Sequence, residues 1–201
     1  MRLRSGDAAL APDSASLPGY LLAVSRPRFW LYLGGTALVG VVWGAGSVDG
    51  LLAPLSVALV AYFLLPANLF LYGVNDRFDA PTDAENPRKA EDGPEVRYRK
   101  DRRVDLAIVV AGLLGLPFVG WLPPLGSLAL VGFLALAVGY SAPPIRFKAR
   151  PLLDSLSNGL YVLPGVVGYA ATAGNLPAVP ILLAGWCWTM GMHTYSAIPD
   201  I

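Results

Sequence analysis

Apolar stretches long enough, or nearly so, to cross a bilayer recur six times, near residues 29–47, 51–73, 104–121, 125–141, 155–173 and 177–198. That recurrence constrains the chain more than any other feature: it predicts an all-α, polytopic membrane protein with about six transmembrane helices. The connections sharpen the prediction. Those joining spans 1 and 2, 3 and 4, and 5 and 6, "GAGSVDG", "LPPLG" and "AGNLP", carry no Lys or Arg. All fifteen basic residues fall on the opposite side. Arg2, Arg4, Arg26 and Arg28 precede span 1, and Arg77, Arg88, Lys89, Arg97, Arg99, Lys100, Arg102 and Arg103 lie between spans 2 and 3. Arg146, Lys148 and Arg150 follow span 4. The positive-inside bias makes this side cytoplasmic, so the N-terminus and the long polar loops are expected in the cytoplasm of a cell-membrane protein.

Composition excludes several function classes. Charged residues make up 14% of the chain, against roughly 25% in soluble domains. A net charge of +1 provides no basic field to recruit nucleic acid. The single cysteine, Cys187, cannot form an intrachain disulfide. The opening "MRLRSGDAALAPDSASLPGY" lacks the continuous apolar core of a signal peptide. Residues 1–19 therefore read as a flexible cytoplasmic leader and residues 20–201 as the membrane domain.

Where the second apolar span ends, the sequence turns to "GVNDRFDAPTDAENPRK". On a helix, Asn75, Asp79 and Asp83 form an i, i+4, i+8 ladder, with Asp76 on its flank and Asn68 below. Acids at a membrane interface repel one another, and a divalent cation is the simplest remedy. Oxygen-only ligands suit Mg²⁺, which keeps waters and takes a few carboxylates together with substrate phosphate. The alternative is a solvated acidic loop. Pro81 is a second qualification, because it can end the helix before Asp83. Basic residues return to the same face: Arg88 and Lys89 in "ENPRK", then Tyr140, Arg146 and Lys148 in "YSAPPIRFKARP". Singly, each reads as a topology anchor. Together with the acids they make a diphosphate clamp, with metal and cations stabilising a leaving group while the apolar bundle keeps water from a carbocation.

"NDRFDAPTD" resembles the first aspartate-rich motif, NDxxDxxxD, of the UbiA-type intramembrane prenyltransferases. "YSAPPIRFKARPLLD" resembles the tyrosine-and-basic loop after their fourth helix, and "YSAIPD" the start of their second motif, DxxxD. The likeness covers the chain from about residue 20 onward. It implies a nine-helix bundle around a central cavity, with Mg²⁺ bridging the two motifs and a prenyl diphosphate. By that resemblance Asn75, Asp79 and Asp83 hold one metal, Asp76 stands close by, and Asp200 begins the second metal site. Arg26, Arg88, Lys89, Arg146 and Lys148 bind diphosphate with help from Tyr140. For Arg26 an interface anchor beside Trp30 is an equal alternative. A narrower resemblance, carried by "SRPRFWLYLGG", "GVNDRFDAPTDAENPRK" and "SAIPDI", is to haloarchaeal lycopene elongases. It implies transfer of dimethylallyl groups from dimethylallyl diphosphate to lycopene in C50 carotenoid synthesis. It also implies that the domain is C-terminally truncated, that the last three helices are missing, and that the fragment alone falls short of full activity.

Other residues keep two readings. Asp154 and Asn158 are a local cap or a pair orienting Lys148 or the acceptor. His193 is a packed, hydrogen-bonded histidine or a proton acceptor. Trp186, Trp188 and Tyr195 are packing residues or cation stabilisers. Two rival functions also stand: the same transfer to a quinone precursor or glycerol phosphate lipid, and a non-enzymatic cation transporter or scaffold. The acids and bases crowd one interface rather than the bilayer midplane, which counts against transport.

Overall fold

A computed structural model describes residues 16–81 and 96–197, and among these residues the regular structure is helical. The helices are α1 (Leu17–Val24), α2 (Thr36–Gly44, entered through a π-turn at Leu31–Gly35), α3 (Val48–Leu51), α4 (Pro54–Leu64) and α5 (Pro66–Asp79). They continue as α6 (Arg102–Leu113), α7 (Leu116–Val119), α8 (Pro124–Ser141), α9 (Leu153–Ser157), α10 (Leu163–Ala173) and α11 (Val179–Ala197). Helical structure thus occupies each of the six apolar stretches. Two runs, Pro54–Asp79 and Pro124–Ser141, are long and apolar enough to cross a membrane. Residues 1–15, and with them most of the expected leader, lie outside the described residues. The leader's last three residues do not fit the expectation of a flexible tail: α1 begins at Leu17 and buries Tyr20 and Val24 against Val74, Val104 and Ile108.

Proline sets the starts. Pro54, Pro66, Pro117, Pro124 and Pro164 each stand in the first turn of a helix, where the missing N–H has no intrahelical role and the fixed φ is already helical. Pro66 also divides the second apolar stretch into α4 and α5. The Asn68 amide donates to the Phe63 and Leu64 carbonyls at 2.8 and 2.9 Å, occupying acceptors at the break. In hydrocarbon such groups cost several kcal/mol when unpaired. Asp101 caps α6 by accepting from Arg103 N–H at 2.8 Å. Gly174, at φ 75°, closes α10 in the left-handed conformation that a β-carbon disfavours.

Helix contact depends on small residues. α2 and α10 meet so closely that a β-carbon on Gly40 would lie 2.0 Å from the Gly165 carbonyl oxygen. One on Gly168 would lie 2.4 Å from that of Ala37. Close approach of this kind drives helix association where both surroundings are apolar. Around this contact Leu33, Leu59, Phe63, Leu130, Phe133 and Val167 are fully buried. Many large apolar side chains instead face outward, including Leu31, Val39, Leu106, Leu128 and Trp188. α5 packs on both α6 and α8, and its polar C-terminal end is where the chemistry-bearing residues collect.

Candidate functional site

The last turns of α5 divide their polar side chains between two faces. Asn75 and Asp79, four apart, turn toward α8 and the loop after it. The Asn75 Oδ1 accepts from Ser141 Oγ at 2.9 Å and from Lys148 Nζ at 3.1 Å. Lys148 also pairs with Asp79 Oδ2, and the Arg146 guanidinium lies 3.5 Å from Asp79 Oδ1. Asp79 and Lys148 are each about one-seventh exposed (15%), so this ion pair is shielded and salt screens it weakly. Asp76 takes the other direction. It is 2% exposed and accepts from Arg26 at 2.9 Å, while Arg26 stacks over the Tyr72 ring at 4.7 Å. Arg26 is thereby tied to α5 through Asp76 and Tyr72.

Both arginines hang on similar backbone. Arg26 ends α1 and leads into a 3₁₀ turn at Pro27–Phe29, and Arg146 follows α8 and leads into one at Phe147–Ala149. Each is left-handed, at φ 52° and 42°. Non-glycine residues hold this conformation at a cost of about 1–3 kcal/mol and concentrate at functional sites when they do. Arg146 Nε is buried with no hydrogen-bond partner among the described residues. A buried N–H donor without a partner, beside Lys148 and a two-oxygen face, suits an anion with oxygens to share.

Below the charged groups lies an aromatic wall. Phe29 stacks on Tyr32 with centroids 5.3 Å apart and meets Tyr72 at 5.9 Å, and Tyr32 meets Tyr161 edge-on at 6.2 Å. Ring faces carry negative quadrupole density, so the wall can stabilise a cation in a dry site.

The structure brings together Asn75, Asp76, Asp79, Arg26, Arg146 and Lys148 of the residues singled out from sequence. α5 stops at Asp79, two residues before Pro81. Asp83, Arg88, Lys89 and Asp200 lie outside the described residues. The Tyr140 hydroxyl donates to Asp154 Oδ1 at 3.1 Å rather than into the Asn75–Asp79 cluster. The alternation of faces along α8 explains this, because Ser141, one residue on, takes the position against Asn75. The Asn158 amide bonds the Asp154 carbonyl at 2.8 Å, the expected local cap. Trp186 packs on Gly159 and donates to the Leu156 carbonyl at 2.9 Å, as a packing residue would. Ser141, Tyr72 and Tyr161 were not foreseen. A serine closing the apolar run that ends at residue 141 was the one available signal.

On the far face of α5, Arg77 reaches both oxygens of Asp105 at 2.7 and 2.8 Å and the Tyr98 hydroxyl at 2.8 Å. Tyr98 also donates to Asp105, and burial together with that carboxylate pushes its phenol up. This network braces α5 against α6 outside the Asn75–Asp79 face.

Comparison with known proteins places this arrangement in context. The model of the UbiA prenyltransferase family matches residues 21–201. A lycopene elongase/hydratase of Haloarcula japonica is 55% identical over 193 residues, covering 96% of this chain and 65% of that protein. One of Haloferax volcanii is 53% identical over 182 residues, covering 90% of this chain and 60% of that protein. The chain thus spans less than two thirds of the length of these relatives. A UbiA homolog from Archaeoglobus fulgidus, solved bound to DMAPP and Mg²⁺, superposes with a TM-score of 0.73 at 23% identity, over 90% of this chain and 63% of that one. That likeness establishes a shared fold.

Proposed function

The chain belongs to the UbiA prenyltransferase family, and from that premise we propose that the whole protein transfers a dimethylallyl group from its diphosphate to lycopene, in C50 carotenoid synthesis. The observation that carries the reading is the Asn75–Asp79 oxygen face at the end of an apolar helix, closed by Lys148 and Arg146 above an aromatic wall. The relatives named lycopene elongase/hydratase support the acceptor. So do the apolar helices, which present few polar groups for an aromatic acid or phosphate acceptor. The proposal makes the protein multi-pass in the cell membrane, with its N-terminus and site loops cytoplasmic.

The donor set fits Mg²⁺: Asn75 Oδ1 and the Asp79 carboxylate are hard oxygen ligands one helical turn apart. These two residues would hold the ion, with Asp83 and Asp200 as proposed further ligands. When bound, Mg²⁺ supplies positive charge to a departing diphosphate. The remaining work falls to the chain's own groups. Arg146 Nε and Lys148 Nζ donate to diphosphate oxygens, and Arg26, fixed by Asp76 and Tyr72, presents a further planar cation. The allylic C–O bond breaks as these donors take up the developing charge. The Phe29, Tyr32, Tyr72 and Tyr161 rings keep water away from the allylic cation. The terminal alkene of the acceptor then attacks, forming a C–C bond and leaving a tertiary cation that loses a proton or captures water.

The test supplies membranes containing the intact protein with lycopene, labelled dimethylallyl diphosphate and Mg²⁺. Label is expected in C45 and C50 carotenoids with wild type, and none with Asp79→Asn. Folded wild-type protein that labels no carotenoid rules out lycopene as acceptor. Quinone-precursor and glycerol phosphate lipid acceptors in the same assay then decide whether the donor chemistry survives.

A further inference from the structure

One titratable cluster stands outside the chemistry described above. His193, on α11, sets Nε2 2.8 Å from Asp154 Oδ2 on α9, and Tyr140, on α8, donates to the other oxygen at 3.1 Å. The carboxylate can only accept, so in the neutral imidazole Nε2 carries the hydrogen and Nδ1 keeps its lone pair. No described residue bonds Nδ1. The cluster adjoins the head-group site through the chain itself, since Tyr140 immediately precedes Ser141, the donor to Asn75. α11 also packs against the 3₁₀ turn at Asn158–Tyr161, which carries Tyr161 of the aromatic wall.

The prenyl-transfer reading, on which this inference rests, leaves a proton to be removed at the end of each turnover. Asp76 and Asp79 are poorly placed for that, because Arg26 and Lys148 hold them in ion pairs at the head-group end. The chain has a single histidine. We propose that His193 Nδ1 accepts the terminating proton, with Asp154 as the residue that positions it. In elimination, the C–H bond beside the tertiary cation breaks, its electron pair forms the new alkene, and the proton passes to Nδ1. In water capture, an oxygen lone pair forms the C–O bond and the oxonium proton passes to the same nitrogen. Either route leaves an imidazolium facing the Asp154 carboxylate, the stabilisation a carboxylate–histidine pair provides in other general bases. The imidazolium returns its proton to water before the next turnover.

The experiment uses the intact protein in membranes and follows labelled carotenoid, diphosphate release and the ratio of alkene to alcohol product. His193→Gln can keep a donor on Asp154 but has no basic nitrogen. It is expected to lower carotenoid formation about 100-fold with donor KM unchanged, and to shift the alkene-to-alcohol ratio. His193→Ala is expected to regain turnover when imidazole is added. The arm that shifts identifies the route: lost alkene marks elimination, and lost alcohol marks water capture. His193→Gln present at wild-type level with wild-type rate and product ratio overturns the proposal. So does loss of activity in both variants with an unchanged ratio and no imidazole rescue, which would make the histidine a packing residue. Wild-type membranes that label no lycopene refute lycopene as the acceptor, a failure separable from that of the histidine.

Discussion

Replacing Gly40 with alanine adds a single carbon to α2, and the structure says where it lands. It would lie 2.0 Å from the Gly165 oxygen, 2.8 Å from that residue's carbonyl carbon and 2.9 Å from the Tyr169 nitrogen. Ordinary contact begins near about 3.4 Å, so α2 and α10 must part by about 1.4 Å. The obstacle is backbone, which cannot turn aside as a side chain can. Separation loosens the buried row of Ala37, Val41, Val167 and Ala170, and a gap of about 1 Å already forfeits up to half of each contact's dispersion energy. Overpacking of this kind costs about 1–3 kcal/mol, and the upper half of that range is expected here. The helix propensity gained from glycine to alanine, about 1 kcal/mol, reduces the net effect. Gly132→Ala on α8 is the control, because its β-carbon would meet only a Leu163 methyl at 3.8 Å. Thermal unfolding of purified protein in one detergent should show Gly40→Ala several degrees below wild type and Gly132→Ala at or above it. If Gly40→Ala melts with or above wild type, the close α2–α10 contact does not hold the bundle together and the reasoning fails.

Other expectations follow from the polar sites. Lys148→Met removes the ammonium shared by Asn75 and Asp79 and is expected to lower kcat/KM for the prenyl donor by about 2–4 kcal/mol, some 30- to 1,000-fold. Lys148→Arg should recover only part of this, since a planar fork does not fill the place of a point charge. Steady-state kinetics of both variants checks the pair. Ser141→Ala takes one of two donors from Asn75 Oδ1, at a cost of about 1 kcal/mol, and should raise the donor KM severalfold. Tyr20, ahead of the first span, donates to the Arg97 carbonyl at 2.8 Å and accepts from the Arg99 N–H at 2.7 Å. Burial, the largest cause, pushes its phenol from 10.0 to about 12. With the folded value raised, its stabilisation is complete below pH 10 and is lost as pH rises toward 12, about 3 kcal/mol in all. Tyr20→Phe should be less stable by about 1–3 kcal/mol at pH 8. Unfolding curves of the two proteins should converge between pH 10 and 12, and a constant gap across that window would refute the assignment.

The helical architecture was legible because a bilayer asks a simple question of a sequence, and runs such as 54–79 and 124–141 answer it by length and apolarity. α1 was not legible: Leu17–Val24 is too short to register as a span, and it is held by distant Val74, Val104 and Ile108 rather than by its own pattern. In the site, the spacing of Asn75 and Asp79 and the basic loop at 146–148 were readable because they are local. The Arg26–Asp76 pair joins residues fifty positions apart, which no spacing rule links. The direction in which Tyr140 points was not legible for a related reason. Adjacent residues on a helix point about 100° apart, and sequence alone does not say whether position 140 or 141 faces Asn75. His193 and Asp154 were each visible as polar residues in apolar surroundings, but their partnership depends on how α9 meets α11.

The left-handed backbone shared by Arg26 and Arg146 weighs fold against function differently at the two positions. Glycine at either position would relax the main chain by about 1–2 kcal/mol, but at Arg26 it would also take away the guanidinium that pairs with the buried Asp76 carboxylate, a loss of about 3–5 kcal/mol. At Arg146, whose loss leaves Lys148 on Asp79, a library screened for thermal tolerance alone would be drawn toward Arg146→Gly, and one screened for turnover would be driven from it by the loss of a proposed phosphate ligand. Thermotolerant variants harvested from such a library without an activity filter should therefore accumulate catalytically silent proteins at codon 146 and not at codon 26, where the same backbone conformation is secured by a buried ion pair.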